Sequence, residues 1–222
     1  MLREPFTEKF YTYHSKYIEN VLALRQPQRE SLEIFARLCD ILTFSKEPNL
    51  GAELEAVHAL FPTLSSFERD FPSFCFALAT GIGKTRLMGA CIAYLRYEKG
   101  IKNFFVMAPN LTIYDKLKAD LGNTSNPKYV FKGLDLFAKP PRIIDGDNYA
   151  DFRQGTFGVN DVVINVFNIS KLNAESKGKN GEPARIKRLN EVLGTSYFEY
   201  LQSLPDLCIF MDESHHYHAD KS

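Results

Sequence analysis

Residues 77–85 read Ala-Leu-Ala-Thr-Gly-Ile-Gly-Lys-Thr, between the apolar run Phe74-Cys75-Phe76 and a small-residue helix pattern beginning at Arg86. Strand, glycine loop and helix in that order predict a cradle for nucleotide phosphates. Glycines at 81 and 83 permit a tight turn that points successive backbone N–H groups at phosphate oxygens, and the N-terminus of the next helix adds partial positive charge. Thr80, Gly81, Ile82 and Gly83 form the loop in this pattern, Lys84 reaches the β- and γ-phosphates, and the Thr85 hydroxyl ligates Mg²⁺. Leu78 stands where the first glycine of G-x-x-x-x-G-K-T is usual. The competing reading is an ordinary glycine turn ahead of a helix, and the ordered context disfavours it.

A nucleotide site of this kind needs an apolar strand ending in acid. Leu207-Cys208-Ile209-Phe210-Met211 runs straight into Asp212-Glu213-Ser214-His215. Asp212 then holds Mg²⁺ and Glu213 orients or deprotonates the attacking water. Taken alone, two carboxylates after a strand are more often a solvated strand end, and it is the upstream phosphate loop that reverses the balance. His215, His216 and His218 beside Asp212 admit a transition-metal reading, but no further Cys or His partner at ligand spacing accompanies them.

Between these motifs, strand and helix patterns alternate. Pro27 suits a first helical turn, and Ile34, Phe35, Leu38, Ile41 and Leu42 follow at helical spacing. A short helix is expected over 51–61, a strand over 73–78, and a helix from Lys84 to about Glu98, apolar round much of its circumference and closed by Gly100. Residues 103–108 read as a strand, and Asn110 as the cap of a helix through about Leu121. Tyr129-Val130-Phe131 and Arg142-Ile143-Ile144 are short strand candidates, while Val162–Phe167 has the composition of a buried strand. Ile186, Leu189, Leu193, Tyr197, Tyr200 and Leu201 recur at helical spacing. The alternation predicts an α/β fold, a parallel sheet covered by helices on both faces.

Composition narrows the class. The chain has 222 residues, 45% of them hydrophobic, enough for a buried core. Lys and Arg number 27, as do Asp and Glu, so any nucleic-acid surface has to be local rather than global. Such a patch is offered by Lys171, Lys177, Lys179, Arg185, Lys187 and Arg188, opposed nearby by only Glu175 and Glu182; a solvated loop explains the same run. The aromatics Phe6, Phe10, Tyr11, Tyr13 and Tyr17 suit either a base-stacking platform or a small core, and the core is favoured. Cysteines 39, 75, 91 and 208 stand singly, without C-x-x-C, and read as reduced core residues of a cytoplasmic protein. No run approaches the ~18 apolar residues of a membrane span.

Ala79-Thr80-Gly81-Ile82-Gly83-Lys84-Thr85 and Asp212-Glu213-Ser214-His215 resemble motifs I and II of superfamily 2 helicases of the D-E-x-H (DEAH-box) type. Phe105–Thr112 resembles motif Ia, where a strand ends beside the nucleic-acid backbone, and Leu24-Arg25-Gln26-Pro27-Gln28 resembles the upstream segment whose glutamine, here Gln28, reads adenine. With Ala-Pro-Asn-Leu-Thr and Asp-Glu-Ser-His-His-Tyr included, the pattern is most similar to the helicase subunit of type III restriction enzymes.

The resemblance implies a RecA-like P-loop NTPase first motor domain that hydrolyses ATP with Mg²⁺ to move DNA. It also implies backbone contacts of low sequence specificity near Asn168, and a modification or nuclease partner subunit. It gives His215 the coupling of the nucleotide site to a second motor domain. On this basis residues 1–50 are expected to be a lead-in with the adenine-reading helix, and 51–222 an incomplete motor domain ending after motif II, inactive as an isolated ATPase. The alternative is a remnant that binds nucleotide or a partner without turnover.

Overall fold

The computed structural model describes residues 12–149, 161–168, 189–190 and 195–212. The chain divides into two compact units, Met1–Glu98 and Lys99–Ser222.

The first unit is helical where described: α1 (Tyr13–Val21), α2 (Gln26–Ile41), α3 (Leu50–Leu60) and α4 (Lys84–Glu98). Local chemistry sets their starts. Thr12 caps α1, and Asn49 caps α3 by accepting from the Ala52 N–H at 3.2 Å. Pro27 opens α2, where its missing N–H has no helical partner to lose. Every residue of α4 from Leu87 to Leu95 is buried, as its all-round apolar pattern requires. Gly100 has φ +69°, so the glycine predicted to close this helix takes the left-handed backbone that favours it.

Residues 72–79 are not a strand. They still alternate: Phe74 and Phe76 pack on the cluster of Leu38, Val57 and Phe67, whereas Cys75 is exposed and so departs from its expected core placement. A strand requires a ladder partner, and among the described residues none pairs with this segment.

The second unit holds a parallel sheet of β1 (Asn103–Ala108), β2 (Arg142–Asp145), β3 (Val163–Asn168) and β6 (Leu207–Met211), in the order β2-β3-β1-β6. β4 (Leu189–Asn190) and β5 (Thr195–Ser196) form a separate two-residue antiparallel pair. Burial on both faces holds for β1 and β3, while β6 leaves Ile209 and Met211 exposed. Phe105, Val163 and Phe167 face a cluster with Tyr197 and Leu201 of α6 (Tyr197–Ser203), while α5 (Leu111–Gly122) also packs on β1 and β3. Asp206 aligns β6, accepting from the Lys102 N–H at 2.8 Å and from Asn103 Nδ2 at 2.6 Å.

Two further expected elements differ. Tyr129-Val130-Phe131 lies in turns, because the Asn123 and Asn126 side chains accept from the Ser125 and Lys128 N–H groups and curl the backbone. The aromatic rings are buried all the same, Phe131 stacking on Phe137 with centroids 4.2 Å apart. The helical spacing expected from Ile186 is broken by β4 and β5, and a helix is described over Tyr197–Ser203, where Ser196 and Glu199 form a reciprocal capping box.

Candidate functional site

Gly81 has φ +81° and Gly83 φ +96°, and α4 begins at the next residue, Lys84. This is the backbone that an anion cradle needs, and L-side chains rarely adopt it. The first turn forms at once, with the Arg86 and Leu87 N–H groups donating to the Gly83 carbonyl at 3.0 and 3.2 Å. Thr80, Gly81 and Gly83 are exposed, and Ile82, Lys84 and Thr85 are half-buried. The approach to the loop at Gly81 is open: apart from its chain neighbours, no atom lies within 4 Å of a Cβ built there.

Gln28 meets this loop directly. Only 2% exposed, it accepts from the Arg25 N–H at 2.8 Å and donates through Nε2 to the Ile82 carbonyl at 3.0 Å and the Gly83 carbonyl at 2.9 Å. A Cβ on Gly83 would stand 2.6 Å from Gln28 Nε2, so glycine is needed there for space as well as for φ. Arg25 Nη1 donates to the Gly81 carbonyl at 3.5 Å. The sequence motif did not point to Arg25, although its place three residues before Gln28 was visible.

In the second unit the candidate residues gather at the carboxyl ends of parallel strands, the edge where open α/β sheets bind ligands. Ala108 and Asn168 are register partners at the ends of β1 and β3. Asp212 follows β6, buried, and its N–H donates to the Met107 carbonyl at 3.1 Å. Asn110 caps α5, its Oδ1 accepting from the Ile113 N–H at 2.9 Å. Glu213, His215, His216 and His218 lie outside the described residues, as does the basic run at 171–188. Among the described residues no group of His, Cys, Asp and Glu is arranged to hold a metal ion by itself. Each unit holds one of the oxygen donors expected for Mg²⁺, the Thr85 hydroxyl in the first turn of α4 and the Asp212 carboxylate after β6, both of suitably hard chemistry.

Two buried polar contacts in this unit were not legible in the sequence. Tyr197 donates its hydroxyl to Asn165 Oδ1, while Asn165 Nδ2 donates to the Phe104 carbonyl at 2.9 Å, so a polar side chain inside β3 is satisfied. Lys118 on α5 bonds Asp145 at the end of β2, and Asp145 also accepts from the Asp147 and Asn148 N–H groups at 2.9 and 3.0 Å. Burial opposes both charges, yet the mutual bond and these N–H donors outweigh it, holding the Asp145 carboxyl below 3.8 and the Lys118 ammonium above 10.5.

Asp145 therefore stabilises the fold above its unfolded value and loses that contribution as pH falls through its lowered folded value. Lys118 stabilises below its unfolded value and loses that contribution as pH rises through its raised one. Asp145→Asn is expected to cost about 1.5 kcal/mol at pH 7 and clearly less at pH 3, as read by urea unfolding. An equal loss at both pH values would show that the charge is not what matters.

Glycine loop, helix N-terminus and parallel sheet together define the P-loop NTPase class. A family model described as type III restriction enzyme, res subunit, matches residues 12–222, and the chain belongs to that family, one of helicase-type ATPase motor domains. No curated protein and no solved structure matches the chain. No helix among the described residues is long and apolar enough to cross a membrane.

Proposed function

We propose that this chain is the ATP-binding and hydrolysing motor domain of a cytoplasmic DNA helicase or translocase of the type III restriction kind, working with a modification or nuclease subunit. The observation that carries this reading is the loop at 80–85, with glycines at φ +81° and +96° leading straight into α4, in a chain the family model matches over 12–222.

In this reading the loop N–H groups and Lys84 bind the triphosphate. Thr85 and Asp212 would hold Mg²⁺, which would supply positive charge to offset the charge developing on the phosphoryl oxygens. Glu213 orients the attacking water and takes its proton, and His215 links the nucleotide site to a second motor domain. The segment it resembles gives Gln28 an adenine-reading role, which would have to compete with the bonds its amide makes to the loop. The experiment is ATP hydrolysis with and without DNA, for this chain alone and with a second motor domain appended. DNA-stimulated turnover in the two-domain chain is expected, and nucleotide binding with no turnover in either would favour the remnant.

DNA contacts in this reading run through the strand-end loops at Pro109-Asn110 and Asn168 and through the basic run at 171–188. They are contacts to phosphates. Affinity is then indifferent to sequence, and neutralising about three phosphates would weaken it ~40-fold between 50 and 200 mM salt. Sequence-selective binding that persists at the higher salt would contradict this.

A further inference from the structure

We infer that Gln28 is a positioning residue of the phosphate loop, setting the direction of its N–H groups independently of the base; this rests on the phosphate-loop reading above. A primary amide has two N–H donors and one carbonyl oxygen. In Gln28 both donors are engaged by successive loop carbonyls, Ile82 and Gly83, and the oxygen by the Arg25 N–H. This set of partners fixes which end of the amide is oxygen, because a backbone donor lies on one side and two acceptors on the other.

The consequence follows from peptide geometry. In a trans peptide C=O and N–H point in opposite directions. With the Ile82 and Gly83 carbonyls drawn toward Gln28, the N–H groups of Gly83 and Lys84 are turned away from it, the orientation a phosphate cradle needs. The 2.6 Å approach to the Cβ position of Gly83 shows how tightly the side chain is set against the loop. Because Gln28 is buried at the first turn of α2 and tied back to Arg25, the helix supplies rigidity that a glycine loop lacks. Reading an adenine edge would take one N–H donor for N7 and the carbonyl oxygen for the N6 amino group; both are engaged here, so the two roles compete for one amide and make different predictions.

The test uses Mg²⁺·tripolyphosphate, which has no base, beside ATP and GTP, with binding measured by calorimetry on the full chain. Gln28→Glu keeps an acceptor for the Arg25 N–H but donates nothing to the loop; Gln28→Met removes both. Each variant is expected to weaken tripolyphosphate and ATP by the same factor, roughly tenfold, and to leave the ATP-to-GTP ratio unchanged. Gln28→Glu retains the helix cap but adds a negative charge beside the anion site, so the uncharged Gln28→Met has to show the same loss for it to report the loop bonds; a thermal melt confirms folding. Tripolyphosphate affinity unchanged in Gln28→Glu, with the ATP-to-GTP preference abolished, would overturn the inference and leave Gln28 as a base reader. Lys84→Ala is the separate control: if it leaves tripolyphosphate binding intact, the phosphate-loop reading itself fails.

Discussion

Replacing Lys84 with alanine is expected to weaken ATP binding by about 3 kcal/mol, ~100-fold, with the fold intact. Lys84 is the first residue of α4, where its ammonium adds a full charge to the partial charge of the helix end and to the N–H groups of the loop. The backbone part of the cradle survives the substitution, so residual weak binding is anticipated. Titration of the variant with a fluorescent ATP analogue, next to a thermal melt, measures both quantities. Affinity equal to that of the parent chain in a folded variant would remove the phosphate loop from the proposed function.

The second large effect is on turnover. In a chain that carries both motor domains, Glu213→Gln is expected to reduce DNA-stimulated hydrolysis by ~10²–10⁴-fold while ATP still binds. The amide preserves shape and hydrogen-bonding reach but cannot take the proton of the attacking water. Asp212→Ala acts differently, raising the Mg²⁺ concentration needed for half-maximal binding. Single-turnover hydrolysis of radiolabelled ATP separates the two. Undiminished hydrolysis by the Glu213 variant would exclude it as the base.

Much of this was visible in residue order. The strand at 103–108, the Asn110 cap and the burial of α4 all follow from local patterns, and each is observed. Where expectation and structure part, a local signal met a competing one. Tyr129-Val130-Phe131 has strand composition, but the asparagines before it supply turn bonds. Helical spacing back to Ile186 was interrupted at Ser196, whose S-x-x-E capping box was the better guide to where the helix starts.

The amino-acid sequence by itself determined the class of chemistry. Gly81, Gly83 and Lys84 fall within one short stretch of chain, so their conformational freedom and charge are local properties that no packing needs to assemble. Tertiary structure alone decided what surrounds them. Gln28 reaches the loop from 55 residues away, and the Lys118–Asp145 and Tyr197–Asn165 pairs join elements far apart in the chain. Such contacts depend on which helix lies against which loop or strand, a matter settled by burial of apolar faces and not by the short-range periodicity that residue order displays.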